Sequence, residues 1–204
     1  MKIDWLGHSS VRIEIEGKTV YIDPYQIQRR GEADIVLITH GHYDHLSVPD
    51  LERVLVEDTV VISPPGCDAP GKRVFLEAGE TTTIKGVEIE AVPAYNIGKR
   101  FHPRTAGGVG YLIHGDGEVL YHAGDTDLIE EMAALRPTVA LLPVSGTFVM
   151  TAEEAAEAAK QMAPKLAIPI HYGAGVAGTV DDARRFAALL EGTGISVKIQ
   201  EKVV

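Results

Sequence analysis

Ile35-Val36-Leu37-Ile38-Thr39-His40-Gly41-His42-Tyr43-Asp44-His45 is the stretch on which the reading of this chain turns. Its first four residues are apolar without alternation and mostly β-branched. A run this short with no polar face predicts a strand buried on both sides. The residues that leave it hold three of the eight histidines of the chain, plus an aspartate, within six positions. Neutral imidazole and carboxylate are the usual ligands of Zn²⁺ and related ions. His40 and His42 can converge on one ion from a tight loop, and Asp44 and His45 can turn toward a second. Gly41 is expected where that loop bends sharply. A strand exit supplies the rigid base that ligands need.

Short strands surround this segment. Val11, Ile13 and Ile15 alternate with Arg12, Glu14 and Glu16, and Thr19 to Asp23 follow a turn placed at Gly17-Lys18. That pattern predicts a hairpin, stopped by Pro24. Val60 to Ile62 and Val74 to Leu76 read as further buried strands. Thr81 to Lys85 and Val87 to Val92 flank Gly86, and Val109 to Ile113 and Val119 to Tyr121 flank His114-Gly115-Asp116-Gly117, two more hairpins. In the second half, strands at Val139 to Leu142, Leu166 to Ile170 and Ser196 to Ile199 are separated by helices. Thr151-Ala152-Glu153-Glu154 is a capping box at the head of an Ala-rich helix running to Met162. Asp181 to Leu190 predicts a second helix, ended by Gly192. Val48 to Val56 and Asp127 to Leu135 are expected to be helical too. About a dozen strands and four helices suit two stacked sheets with helices outside.

The 204 residues suit one domain, 1–204, with 45% hydrophobic and 24% charged residues. No apolar run approaches the roughly 20 residues that span a bilayer, so no membrane partner is expected. Met1-Lys2-Ile3-Asp4-Trp5-Leu6 turns polar too soon for a secretory signal, and a cytoplasmic protein is expected. The single cysteine, Cys67, sits in a Pro/Gly-rich stretch and reads as an inert loop or packing residue. A formal net charge of −10 argues against a nucleic-acid partner, because phosphate backbones need clustered Lys and Arg. A homo-oligomer is compatible with the chain.

The His-x-His-x-Asp-His run after a buried strand resembles the signature of the metallo-β-lactamase superfamily. Tyr21-Ile22-Asp23-Pro24 is similar to the family's early strand ending in Asp. Tyr121-His122-Ala123-Gly124-Asp125-Thr126 is similar to its later strand with a metal-bridging Asp, and Pro169-Ile170-His171-Tyr172 to its strand-end His. Gly7-His8-Ser9 resembles the branch of lactonase-like proteins and metal-dependent hydrolases. The likeness covers nearly the whole chain, in order. It implies an α/β (α+β) fold, a four-layer αββα sandwich. It also implies a first ion on His40 and His42, a second on Asp44, His45 and His171, and Asp125 between them. Without the likeness, Asp125 reads as a turn residue and His171 as a buried strand-end histidine.

The chain departs from the family at the third ligand of the first site, which usually follows the strand read at Val87 to Val92. Here Pro93-Ala94-Tyr95-Asn96 contains no histidine, and His102 is expected to fold back instead, with Tyr95, Asn96 or water as alternatives. His8 is an even choice between pocket wall and turn. His122 reads as a core or ligand-orienting residue, His114 as solvated, and Asp23 as orienting the ligand loop. Lys99, Arg100 and Arg104 read as a solvated loop, with an anionic substrate group as the alternative.

The resulting expectation is a metal-dependent hydrolase acting on a small-molecule ester, lactone or phosphodiester. One or two divalent ions, Zn²⁺ with Mn, Fe or Ni as alternatives, activate water, and Asp44 or Asp125 assists the proton movement. No Ser-x-x-Lys or Gly-x-Ser-x-Gly supports a serine route. The competing readings are a redox metalloprotein and a degenerate, non-catalytic metal-binding module.

Overall fold

In the computed structural model, which describes residues 1–203, two sheets face each other. The first runs in the order β1 (Lys2–Gly7), β2 (Ser10–Ile15), β3 (Lys18–Ile22), β4 (Ile35–Leu37), β5 (Val60–Ser63), β6 (Lys72–Phe75). Its first three strands are antiparallel and β3 to β6 are parallel. The second holds β7 (Thr81–Ile84), β8 (Val87–Pro93), β9 (Val109–Gly115), β10 (Glu118–His122), β11 (Val139–Pro143), β12 (Leu166–Ile170) and β13 (Ser196–Val197), in sequence order across the sheet. β7 to β10 pair antiparallel and β10 to β13 parallel.

The apolar alternation explains the layers. Ile35 and Leu37 point inward with Ile13, Ile22 and Ile62, against Ile89, Tyr111 and Ile113 of the second sheet. Val36 and Ile38, one residue out of phase, point outward and pack with Leu51 and Val54 of α1 (Val48–Val54). The uniformly apolar run is therefore a strand with two buried faces. On the far side, α2 (Ala152–Met162) and α3 (Val180–Leu189) lay Ala155, Ala159 and Phe186 on the second sheet. The order helix, sheet, sheet, helix is the four-layer sandwich expected from the sequence. The Thr151/Glu154 capping box of α2 is present, with Thr151 Oγ1 accepting from Glu154 N at 3.2 Å and Glu154 Oε2 accepting from Thr151 N at 2.8 Å. No helix among the described residues is long and apolar enough to cross a membrane.

Three local expectations need correction. Val74 to Leu76, read as a buried strand, falls on β6, which ends at Phe75 and is the exposed edge of the first sheet, with one neighbour and an exposed Phe75. The first hairpin turns one residue earlier than read, at Glu16-Gly17, because both residues take left-handed backbone (φ 49° and 68°) and Ile15 pairs with Lys18. That is the twist a two-residue turn needs. Residues 127–135 are not an α-helix; only a 3₁₀ turn at Glu130–Ala134 forms. Asp127 is diverted into tertiary bonds: its Oδ2 accepts from Ile97 N at 2.8 Å and its N donates to Tyr95 O at 3.0 Å. Those bonds tie it to the loop after β8.

The pairing directions make β1, β3, β4, β8, β10 and β12 run the same way within their sheets. The loops that leave them carry His8, Asp23, the His40–His45 cluster, His102, Asp125 and His171. Ligand sites of open α/β sheets sit at such carboxyl strand ends.

Candidate metal centre

Asp23 organises the loop that follows β4. Its Oδ1 accepts from Thr39 N at 2.8 Å and its Oδ2 from Thr39 Oγ1 at 2.6 Å. Because the Thr39 hydroxyl hydrogen is committed there, its oxygen accepts from His40 Nδ1 at 3.0 Å. Asp23 Oδ2 also accepts from His45 Nδ1 at 2.7 Å. One carboxylate, fully buried, thus holds His45 directly and His40 through a hydroxyl. Both rings are left with Nε2 pointing away from their anchors.

The same arrangement recurs at two other histidines. His102 Nδ1 donates to Phe148 O at 3.2 Å, and His171 Nδ1 lies 2.7 Å from Ser145 Oγ. Four rings therefore have the outer nitrogen tied to an oxygen and Nε2 turned inward, the usual preparation of metal-binding imidazoles.

The inward atoms meet in two groups. His42 Nδ1 lies 3.0 Å from His40 Nε2 and 2.9 Å from His102 Nε2. In the second group, ligand atoms of His8, Asp44, His45 and His171 all lie within 4.8 Å of one another. Asp125 stands between. Its Oδ2 is 3.4 Å from His102 Nε2 and 4.0 Å from His40 Nε2 on one side, and 3.1 Å from His171 Nε2 on the other. Its Oδ1 is 3.3 Å from His45 Nε2.

A divalent cation fits this donor set. His45 Nε2 and Asp125 Oδ1 are both buried, both without a hydrogen-bond partner, and face each other. Unpaired buried polar atoms cost about 1–3 kcal/mol each, so two converging ones call for a shared partner. Three imidazole nitrogens within about 3 Å of one neighbour make the same case at the first group. The charges agree. Burial works against the Asp125 carboxylate, but His171 and His45 outweigh it and hold its pKa well below the usual range. Asp44 is likewise opposed by burial, yet the hydrogen bond from His8 and the charge of His45 bring it down to about 2. Burial pushes His40 well down and lowers His102 and His8. His45 is the exception: burial lowers it, but Asp125 and Asp23 hold it well above the usual imidazole range. That excess of negative field at His45 is where a cation would sit.

His8, Asp23, His102 and His171 all take left-handed backbone, at φ 54°, 45°, 56° and 63°. Such conformations cost non-glycine residues energy and gather at functional sites. Gly124, before Asp125, combines φ +64° with a site where a Cβ would lie 2.7 Å from Val109 O, so only glycine fits. Gly41 has no such need; its nearest contact would be an ordinary 3.8 Å to Cys67 Sγ. The loop bends there without requiring glycine.

The structure thus gathers His40, His42, Asp44, His45, His102, Asp125 and His171 within one centre. Tyr95 is directed elsewhere, its hydroxyl donating to Glu131 at 3.0 Å. Asn96 supports rather than joins the site: its N donates to His102 O at 2.7 Å and its Nδ2 to Phe101 O at 3.0 Å and Phe148 O at 2.5 Å. His122 is satisfied in the core, its Nε2 donating to Ser9 O at 2.9 Å and its Nδ1 accepting from Gly124 N at 3.2 Å. Lys99 pairs with Asp127 and Arg104 with Glu131, which leaves Arg100 as the pocket cation. Sequence reasoning missed Thr39 and Ser145 as anchors and left His8 open. Thr39 was next to His40; Ser145 carried no signal, since its partner is 26 residues away.

Two cavities open on the centre. One of about 410 Å³ is lined by Pro64, Pro65, Ala94, Arg100, Phe101 and Val109 beside His40 and His42. The other, of about 300 Å³, is lined by Tyr43, Phe101, Phe148 and Val176 beside Asp44 and His171.

A two-sheet sandwich with histidines and aspartates at its carboxyl strand ends defines the metallo-β-lactamase class of fold. Residues 2–171 match the beta-lactamase superfamily domain. The chain is 34% identical to UPF0173 metal-dependent hydrolase MK1542 of Methanopyrus kandleri, over 98% of this chain and 95% of that protein. A UPF0173 metal-dependent hydrolase of Methanoculleus marisnigri is 37% identical over 84% and 81%. Among solved structures, a candidate metal-dependent hydrolase of Parabacteroides distasonis aligns with a TM-score of 0.86 and 34% identity, covering 98% of this chain and 92% of that one. The chain belongs to the metallo-β-lactamase superfamily and, within it, to the UPF0173 metal-dependent hydrolases.

Proposed function

We propose that the chain hydrolyses a small-molecule ester, lactone or phosphodiester with two divalent ions, Zn²⁺ in the first instance. His40, His42 and His102 would hold one ion, Asp44, His45 and His171 the other, and Asp125 would bridge them. The position of Asp125 carries this reading, because its carboxylate lies within 4.0 Å of imidazole nitrogens from both groups. Ions held there would supply Lewis acidity and lower the pKa of a bound water toward neutrality.

The chain's own residues supply the rest. Asp23, Thr39, Ser145 and Phe148 O fix the four imidazoles before substrate arrives, so little reorganisation is needed. Asp44 and Asp125 are ionised at neutral pH; either can hold the proton that water gives up, and neither is a strong base. The two cavities suit a substrate with apolar groups, and Arg100 can take a carboxylate or phosphate oxygen at the mouth of the larger one. The absence of clustered cations around the centre, with Lys99 and Arg104 paired to carboxylates, favours a small metabolite over a nucleic acid. An imidazole as third ligand of the first group favours hydrolysis over iron redox chemistry, where an acidic residue is expected.

The test is Asp125→Ala, with metal content measured by atomic absorption and turnover on ester, lactone and phosphodiester panels. Metal stoichiometry should fall and turnover should be lost. Native stoichiometry in the variant would refute the bridging role.

A further inference from the structure

Four donor residues converge at the second group, yet one of them differs from the rest. His8 is fully buried, and its Nε2 lies 3.1 Å from Asp44 Oδ2. Its ring stacks at a tilt on His171, centroids 4.2 Å apart. Its backbone oxygen accepts from His171 N at 2.9 Å and from Trp5 Nε1 at 2.8 Å. The strand end β1 is thereby locked to the strand end β12.

The difference lies at the other ring nitrogen. In His40, His45, His102 and His171 the outer nitrogen meets an oxygen, so it can carry the proton while Nε2 offers a lone pair. In His8 the outer nitrogen, Nδ1, is buried with no partner. A neutral imidazole must place its single hydrogen on one of the two nitrogens. On Nδ1 it would be a buried donor without an acceptor, the rarer and costlier kind of unsatisfied group, and Nε2 would face the Asp44 oxygen lone pair to lone pair. On Nε2 it makes a charge-assisted bond to Asp44 and leaves one lone pair, on Nδ1, without a donor, while the alternative leaves a buried N–H unpaired and also loses the Asp44 bond.

Resting on the two-ion reading above, we propose that His8 is a positioning residue: it donates from Nε2 to Asp44 Oδ2, turns that carboxylate toward the second ion, and is not itself a ligand. The convergence of four donor atoms overstates the coordination by one, and the second ion is held by Asp44, His45, His171 and the shared Asp125. The left-handed backbone of His8 (φ 54°), directly after Gly7, is what delivers the ring from the sheet edge to Asp44.

The test uses the full chain with Zn²⁺ as probe. Long-range ¹H–¹⁵N correlation spectra of the zinc-loaded native protein read each histidine's tautomer. His8 should carry its hydrogen on Nε2, and His40, His45, His102 and His171 on Nδ1. Zinc titrations against a competing chelator then compare His8→Ala with His8→Gln, which keeps a side-chain N–H donor. His8→Ala should weaken the second zinc by about 10–100-fold and leave the first unchanged, and His8→Gln should recover most of the loss. An Nδ1–H tautomer at His8, unchanged zinc affinity in His8→Ala, or a loss in His8→Gln as large as in His8→Ala would each overturn the proposal. A native chain that takes up no zinc would instead defeat the metal-centre reading, and the native titration tells the two apart.

Discussion

Asp23 Oδ2 accepts a 2.7 Å hydrogen bond from His45 Nδ1 and a 2.6 Å bond from Thr39 Oγ1, whose oxygen in turn receives His40 Nδ1. One buried carboxylate outside the ligand set therefore sets the ring orientation in both halves of the centre. Asp23→Ala should weaken both ions by about 10–100-fold and lower stability by about 1–3 kcal/mol, through the unsatisfied Thr39 and His45 donors. Asp23→Asn should also lose metal, because its amide presents hydrogens to groups that are themselves donors. Zinc content together with thermal denaturation, with and without chelator, checks this; full zinc retention in Asp23→Asn would contradict the orientation argument.

Asn96 is expected to decide whether the first ion is held. Its side chain bridges the carbonyls of Phe101 and Phe148, and its backbone N bonds His102 O, so it closes the loop that brings His102 back to His42. Asn96→Ala should reduce zinc from two ions to one, leave the second site occupied, and cost about 1–3 kcal/mol. A titration still showing two tight sites would mean the loop is held by other contacts.

Chelation should destabilise the whole chain. The centre ties together loops from both sheets, and ions bound at about 1,000 times their dissociation constant add about 4 kcal/mol per site to the folded state. Excess EDTA is therefore expected to lower Tm by several degrees, restored by Zn²⁺. An unchanged Tm would imply that the native protein carries no tightly held ion.

Asp34 and Lys85 offer a check away from the centre. Lys85, in the turn after β7, reaches across to the first sheet and pairs with Asp34 Oδ1 at 3.0 Å, while Thr19 N donates to Asp34 Oδ2 at 3.1 Å. Burial opposes ionisation slightly, but these two partners lower the Asp34 pKa. A carboxyl depressed on folding stabilises above its unfolded pKa, near 3.9, and the contribution fades as pH falls through the lower folded value. Partial exposure keeps the effect below about 1 kcal/mol. Denaturant curves should show native protein more stable than Asp34→Asn at pH 7, with the gap closing below about pH 4. A gap independent of pH would remove the ionic component.

The amino-acid sequence by itself determined the class of structure and named most of the side chains that meet at the candidate centre. Ile35 to Ile38 had to be covered on both faces because it has no polar one, and Thr39 to His45 put a dense set of metal donors at its exit. Capping residues such as Thr151 and Glu154 act over three positions, so they too were legible. What only the tertiary structure decided were relations between distant residues. His102 meets His42 on a loop bonded to Asn96 and Phe148, partners that its own neighbourhood in the sequence does not announce. Asp127 to Leu135 lost its helix to bonds with Tyr95 and Ile97. Ser145 gained a partner 26 residues away, and His8 met Asp44 across 36 positions. Helical and strand periodicity report which face of a segment is buried. They are silent on which nitrogen of a buried imidazole finds an acceptor, because that acceptor arrives from another part of the chain.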